Sequence, residues 1–593
     1  MLMDPTTSAT SEHLRPADAD HSTPSANSAM HRTGERAALA GAMGLLSGLS
    51  ACGGGDAGSE ATASSTTDIT PSSLASVVTS AAPANVTEAA RFLAQATPGY
   101  TRADITALMG MSYATWINKQ IALPRSQSHY DFLISKGYNN AAYSSGATGM
   151  DTTLWRKFIS GTDALRQRVV LALSEICVVS RTGMNISWPQ FAIANYVDIL
   201  EANAFGNYRT LLEKISRSTA MATYLTFLDN TKTNTITGSQ PDENYARELM
   251  QLFTIGLYQL NNDGTVKLTN GVPTETYVQA DVSGLARVFT GWGPDLSGLA
   301  NPGTPPDFHI RPLVQSAWRY ESGSKTFLGT TVPAGATADE SLKAALDTVF
   351  KHPNLPPFIC RQLIQRLITS NPSAAYVGRV TAVFVNNGSG VRGDLAAVIK
   401  AILLDSEARN MVNVSSPTFG KLREPVLRFL NWARAFSVTS PTGAWDIGDL
   451  SDPGTQLGQS PLHSPSVFNF FRPGYVPPST SLATKALHAP EFQITNEATV
   501  SGYVNFVQQF VAGQSIGETR PDYSKLMPLV ADSAALLREV NLLLAANQVS
   551  ATTLAPLKTA LDTIAVTTAA GKTNRIQAAV MLILAAPEYI AQK

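Results

Sequence analysis

Leu165-Arg-Gln-Arg-Val-Val-Leu-Ala-Leu173 is the stretch on which the fold reading turns. Its apolar residues recur at three- and four-residue spacing, the period of one helix face, with no strand-like alternation. The same spacing returns in Phe358 to Leu367 and in Ala374 to Phe384. Asn371-Pro372 reads as a helix cap followed by proline at the first helical position. Few segments sustain a two-residue period, so the prediction is mainly α: a multi-helix globular body with long irregular loops. Those loops, rich in Gly, Pro, Asn and Ser, fall at 262–275, 293–337 and 436–485. Loops of that length inside a compact domain are usually functional or mobile. A faint internal echo links Gly393 to Glu407 with Arg575 to Glu588, each an apolar helix running into an acid-ended turn.

Composition narrows the function classes. The chain has 593 residues, 44 Lys+Arg against 45 Asp+Glu, and is 44% hydrophobic but only 15% charged. A nucleic-acid binder held by phosphate contacts needs a basic surplus, which is missing. Wholesale disorder is excluded as well, because there is enough apolar surface to build a core. Three cysteines cannot form a disulfide framework.

The N-terminal segment reads as targeting sequence. His31, Arg32 and Arg36 form a short positive region, followed by an uncharged Ala/Gly/Leu/Met/Ser run from Ala37 to Ala51. That run is too short for a membrane span and matches a secretory signal core. It ends in Leu49-Ser50-Ala51-Cys52, which resembles a bacterial lipobox, so Cys52 is the expected lipidation site. Residues 1–29 are read as an untranslated or disordered extension before Met30, residues 30–51 as the signal peptide, and 52–86 as the lipidated cysteine plus a flexible Gly/Ser/Thr tether. Residues 87–593 form the helical body. Gly53 after the cysteine points by resemblance to outer-membrane sorting, with the lipid as the only membrane attachment. Cys177 and Cys360 sit in apolar helical runs. Buried free thiols are the ordinary reading for them, and a disulfide between them is left open.

Several blocks then stand out: Asp242-Glu-Asn-Tyr-Ala-Arg-Glu-Leu-Met-Gln-Leu-Phe-Thr-Ile-Gly256, Tyr277 to Asp281, Leu285 to Trp292, Arg361 to Pro372, Val391-Arg-Gly-Asp394, Gly420-Lys-Leu-Arg-Glu-Pro425 and Ser464 to Gly474. With Ala90 to Thr97 at one end and Ala586 to Tyr589 at the other, they resemble the bacterial family called domain of unknown function 1800, over roughly 88–593. The resemblance implies an exported, mostly α-helical protein without a settled activity. It also implies a partner, because genes of this family often neighbour those of domain of unknown function 1501, which is similar to the alkaline phosphatase–sulfatase superfamily. Many relatives carry a His-Asp pair just before a Lys-Thr-x-Leu-Gly segment. Here Trp318 to Gly329 has no histidine at that point.

Placed on one helix, Pro241 to Ile255 brings Asn244, Arg247, Glu248 and Gln251 onto one face, opposite Tyr245, Leu249, Leu252 and Phe253. Gly256 is a plausible C-terminal stop, and Glu243 with Arg247 is an i, i+4 pair of the favourable orientation. The ordinary reading is an amphipathic helix with a solvated face. An intermediate one is a buried Glu–Arg network, intolerant of change because a lone buried charge is costly. The functional reading makes Glu248 a general base or metal ligand and Asp281 the second carboxylate of a pair, as glycoside hydrolysis requires. Arg247, Asn244, Arg423 and Phe470 are then assigned to substrate contact. Asp394 reads as a helix cap after Gly393, and Pro425 as a helix start. The Ser464–Gly474 segment is either a binding loop presenting Phe468, Phe470 and Tyr475 or a loop pinned to the core by its aromatics.

Familiar catalytic motifs are absent: no His-Glu-x-x-His, no Gly-x-Ser-x-Gly, no Walker A and no dinucleotide fingerprint. Of eight histidines, three precede Cys52, leaving His129, His309, His352, His463 and His488, none at ligand spacing from another. Neither metal nor cofactor is expected. Two functions stay open. One is a non-catalytic accessory or binding lipoprotein of the outer membrane, acting on an exported phosphatase/sulfatase-like partner or an extracellular polymer. The other is an envelope hydrolase of a glycan or related polymer. The hydrolase needs Glu248 in an open cleft with a second acid about 5–10 Å away.

Overall fold

The computed structural model describes residues 81–299 and 306–593. The signal segment, Cys52 and the tether as far as residue 80 lie outside the described residues, and the last tether position, Val86, already starts the first described helix. The body is mainly α-helical, as the periodicity predicts. Among the described residues the sheets are four short antiparallel pairs.

The core is organised around two helices with almost no solvent face. Every residue of Ala164–Ser174 is buried, and Pro189–Asn203, started by proline at its first turn, packs along it with ten buried residues. A helix buried all round belongs at the centre of a large protein. The polar residues that periodicity puts outside on the first helix, Arg166, Gln167 and Arg168, are therefore buried too. Each needs a partner there, because an unpaired buried charge is costly.

Leu355–Leu367 and Ala374–Val385 form an adjacent packed pair. The start of the second differs from the sequence reading. Ser373 is the cap, its hydroxyl accepting from the Tyr376 amide at 3.1 Å, while Asn371 reaches away to exchange two bonds with the His488 backbone. Leu395–Leu404 begins as expected, with Asp394 accepting from the Ala397 amide. Gly393 before it has φ +77, and a Cβ there would meet the Phe350 ring at 2.7 Å. Pro425–Ala435 also starts at its proline. The two echoing segments share one form, a long helix and then a short one: Leu395–Leu404 with Ser406–Arg409, and Ala569–Leu584 with Pro587–Ile590.

The segment around Glu248 is not one α-helix. Asn244–Glu248 is α-helical and Leu249–Thr254 continues as a π-helix, with the Thr254 hydroxyl donating to the Leu249 carbonyl five residues back. Glu248 is buried where Asn244, Arg247 and Gln251 are half-buried, so it does not share their more exposed side as the helical spacing predicts. Gly256 ends the element with φ +68, under the Phe358 ring.

Two of the long loops carry hairpins, Leu268–Thr269 with Val272–Pro273 and Lys325–Phe327 with Thr330–Val332. The third, 436–485, has almost no regular structure yet buries Ile447, Leu450, Leu457, Leu462 and Phe471. Chain closure comes from the far end: Ala591–Gln592 pairs with Lys421–Leu422. Cys177 and Cys360 are both buried free thiols. No helix among the described residues is long and apolar enough to cross a membrane.

Candidate functional site

The Asn244–Glu248 helix is stitched to the Gln279–Ala286 helix by an exposed-side network. The Glu243 carboxylate accepts from Arg247 at 3.1 Å, Gln279 at 2.7 Å and Ser283 at 2.6 Å. Arg247 adds a bond to the Gln279 side-chain oxygen, so the predicted i, i+4 pair is present and enlarged. Asn244 donates to the Thr226 hydroxyl. Glu248, one residue from Arg247, turns inward and is 7% exposed. It lies beside Tyr224, whose hydroxyl is pushed up by burial and by the Glu248 charge while a bond to Ser464 opposes the shift.

Asp281 does not offer a free carboxylate. One oxygen accepts the Val278 amide at 2.9 Å, closing the first turn of its helix, and the other accepts the Leu328 amide at 2.7 Å. Asp281, expected as the second carboxylate of a pair, caps its own helix and ties it to the 325–332 hairpin. Arg423 is likewise a core residue rather than a substrate contact. It is 3% exposed, donates to the Leu544 carbonyl and Asn431, and stacks on Tyr589 at 4.6 Å. Phe470 is half-buried and lines a recess.

That recess lies where the Ala164–Ser174 helix ends, the Pro425–Ala435 helix begins and the Gln459–Phe470 segment passes over both. Glu175, Gln459, Ser460, Ser464 and Asn469 line it. Two of its backbone positions, Leu462 and Asn469, have φ near +60, a conformation asparagine tolerates and leucine rarely adopts. The Glu175 carboxyl rests against Glu424, and around them stand Arg366, Lys421, Arg168 and Glu491, all buried. Lys421 Nζ is 3.0 Å from Glu491 and 3.7 Å from Glu424. Gln459 donates to Glu424 at 2.9 Å, and Arg366 Nε is 3.4 Å from Glu175.

The two acids titrate apart. Burial pushes the Glu175 carboxyl well above its ordinary value, and the neighbouring Glu424 charge pushes it further. Burial acts on Glu424 in the same direction, but Lys421, the proton held by Glu175, Arg168 and Gln459 together bring it below. The result is one proton held on Glu175 against an ionised Glu424, the ordinary outcome when two carboxyls share a site. The sequence shows Glu424 within the Gly420–Pro425 block, with nothing to pair it with Glu175. Glu175 sits inside an apolar helical run. The available signal was charge where the pattern calls for core, at Arg168, Glu175 and Arg366.

A second buried network surrounds Glu201, which is fully buried. It contacts the Lys157 ammonium and bonds His129 Nε2 at 3.2 Å and Gln167 at 3.0 Å. Burial raises the Glu201 carboxyl, but His129 and Lys157 outweigh it and hold it far below the ordinary range. His129, Asp198 and Glu201 place ligand atoms within 4.8 Å of one another, a donor set suited to a divalent metal. Lys157 already neutralises Glu201, however, and both Asp198 oxygens accept backbone amides, of His129 at 2.8 Å and Tyr130 at 3.0 Å. A residue separation of about seventy positions hid this group from spacing arguments.

Fold and site together define a helical protein with two buried networks of paired ionisable residues in its core, one at Glu175–Glu424 and one at Glu201. The family model described as "Protein of unknown function (DUF1800)" matches residues 91–591, and the chain belongs to that family. No curated protein and no solved structure matches it.

Proposed function

We propose that this protein is an exported outer-membrane lipoprotein, tethered through Cys52, whose helical body serves as an accessory or binding scaffold. Its ligand is an exported phosphatase/sulfatase-like partner or an extracellular polymer. The observation that carries the reading is the state of the acids nominated for hydrolysis. Asp281 spends both oxygens on backbone amides, and Glu248 is buried beside Tyr224. A hydrolase of the two-carboxylate type needs both acids facing one substrate-sized cleft. The lipobox and the tether support the location, and the irregular surface loops support contact with a large partner.

The deciding experiment is a tagged pull-down of the lipidated protein from its own envelope, with captured proteins identified by mass spectrometry and captured glycan by composition. A stoichiometric exported partner or a retained polymer is the expected result. Turnover of a polymer by purified protein, abolished in Glu248→Gln, would reject the scaffold reading in favour of the hydrolase. Cys52→Ala is expected to move the protein from the membrane to the soluble fraction, and unchanged fractionation would remove lipidation from the account.

A further inference from the structure

We propose that the recess beside Glu175 is a binding site for a hydroxyl group of a neutral, polyhydroxylated ligand such as one residue of a glycan. The inference rests on the polymer-binding arm of the proposed function and names the ligand class for it. Two observations independent of the acid pair point into this recess. Ser460, 1% exposed, has a hydroxyl without a partner among the described residues, and Asn469, 8% exposed, has an amide nitrogen in the same condition. Both line the recess with Glu175. Buried polar groups in native proteins nearly always find a protein or ordered-water partner, so two orphans on one wall mark a place where something else supplies the bond.

The chemistry of the walls selects among ligands. The cations behind Glu175 are already paired with its own carboxyl, Glu424 and Glu491, so an anion finds no free counter-charge there. A cation meets Arg366, 3.4 Å from Glu175, and Lys421 behind it. A neutral hydroxyl escapes both penalties. It accepts from the Asn469 amide and exchanges a bond with the Ser460 hydroxyl, in either direction. The recess holds about 300 Å³ of space counting the solvent at its opening, with room inside for one water-sized group. Phe470 and Leu462 give the mouth an apolar wall suited to the C–H face of a sugar ring. The ligand therefore inserts one hydroxyl and lays its ring against Phe470.

The test uses the full-length protein in detergent, run on native gels containing dextran, laminarin or hydroxyethyl cellulose. Retardation by at least one of these polysaccharides is expected for the wild type. Ser460→Ala with Asn469→Gly keeps the Asn469 backbone conformation accessible and removes both orphan groups, and is expected to weaken retardation about tenfold or more. Ser460→Ala alone, which deletes one oxygen and leaves the backbone untouched, is expected to weaken it a few-fold and covers the case in which the double variant misfolds. Retardation unchanged in folded variants would overturn the recess as the site while leaving polymer binding intact. A wild type retarded by none of the three would overturn the proposal, and the pull-down would then decide whether a protein partner replaces the polymer.

Discussion

At the scale of single residues, the energetic stakes sit with buried charges that depend on a few named partners. Glu201 is the clearest case, with Lys157, His129 and Gln167 closing around it. Lys157→Met removes the ammonium from that buried carboxylate, and is expected to lower the unfolding free energy by about 3–5 kcal/mol in urea titration. A loss under 1 kcal/mol would mean Glu201 is ionised in name only and carries a proton. Glu243 and Glu248 offer a contrast five residues apart. Glu243→Gln alters a network whose acid is one-third exposed, worth up to about 1 kcal/mol. Glu248→Gln changes a buried carboxyl and is expected to cost roughly 1–3 kcal/mol in the same assay. Equal costs would place Glu248 in solvent.

At the scale of elements, the question is what holds an irregular segment such as 436–485 in place. His463 is its pin. The Nε2 atom reaches Asp151 at 2.7 Å on the Met150–Ser160 helix, and Nδ1 reaches Asp449 at 3.1 Å. Burial and the nearby Arg181 lower its pKa, but the two aspartates outweigh them and raise it above the ordinary 6.5. A raised histidine pKa contributes stability that is fully present below 6.5 and is lost as pH rises through the raised value. Wild-type melting temperature is therefore expected to fall as pH increases from 6.5, and His463→Gln is expected to flatten that slope. A slope identical in both proteins would assign the pH dependence elsewhere. Packing of elements has its own fixed points. Gly284 lets the Gln279–Ala286 helix touch the Thr326 carbonyl, which a Cβ would approach to 1.8 Å. Gly284→Ala is expected to destabilise by about 1–3 kcal/mol, because backbone rather than a flexible side chain must move. A neutral effect would show that the hairpin shifts freely.

At the scale of the whole molecule, residues near the two ends of the described body close it. Ala591–Gln592 pairs with Lys421–Leu422, and Gln592 donates to the Leu367 carbonyl at 2.8 Å. Arg91 on the first described helix donates to the Lys593 carbonyl at 3.1 Å, and Gln95 joins it. Deleting residues 591–593 strips partners from buried donors on two distant segments. The expected outcome is a drop of roughly 2–4 kcal/mol in a single cooperative transition. A separate early transition would indicate that the closing strand unfolds on its own. The same closure places Lys421 inside the Glu175–Glu424 network, so loss of the end is expected to disturb the recess as well.

Local patterns decided much. Helical period, Pro425 as a helix start, Asp394 as a cap and Gly256 as a stop are set by neighbours in the chain, and the structure follows them. So is family membership, carried by blocks of contiguous residues. The i, i+4 pair of Glu243 and Arg247 belongs to the same class. What depended on distant segments was not readable that way. The π-turn after Glu248 follows from tertiary packing that helical propensity does not encode. Asp281 caps its helix locally, but its second oxygen is taken by the Leu328 amide only because the 325–332 hairpin packs there. Arg423 and Glu424, adjacent in sequence, point to different networks because an extended backbone sends successive side chains to opposite sides. Glu175 meets Glu424 across some 250 residues of chain, and electrostatic pairing in a low-dielectric interior is set by distance in space, to which chain spacing gives no access.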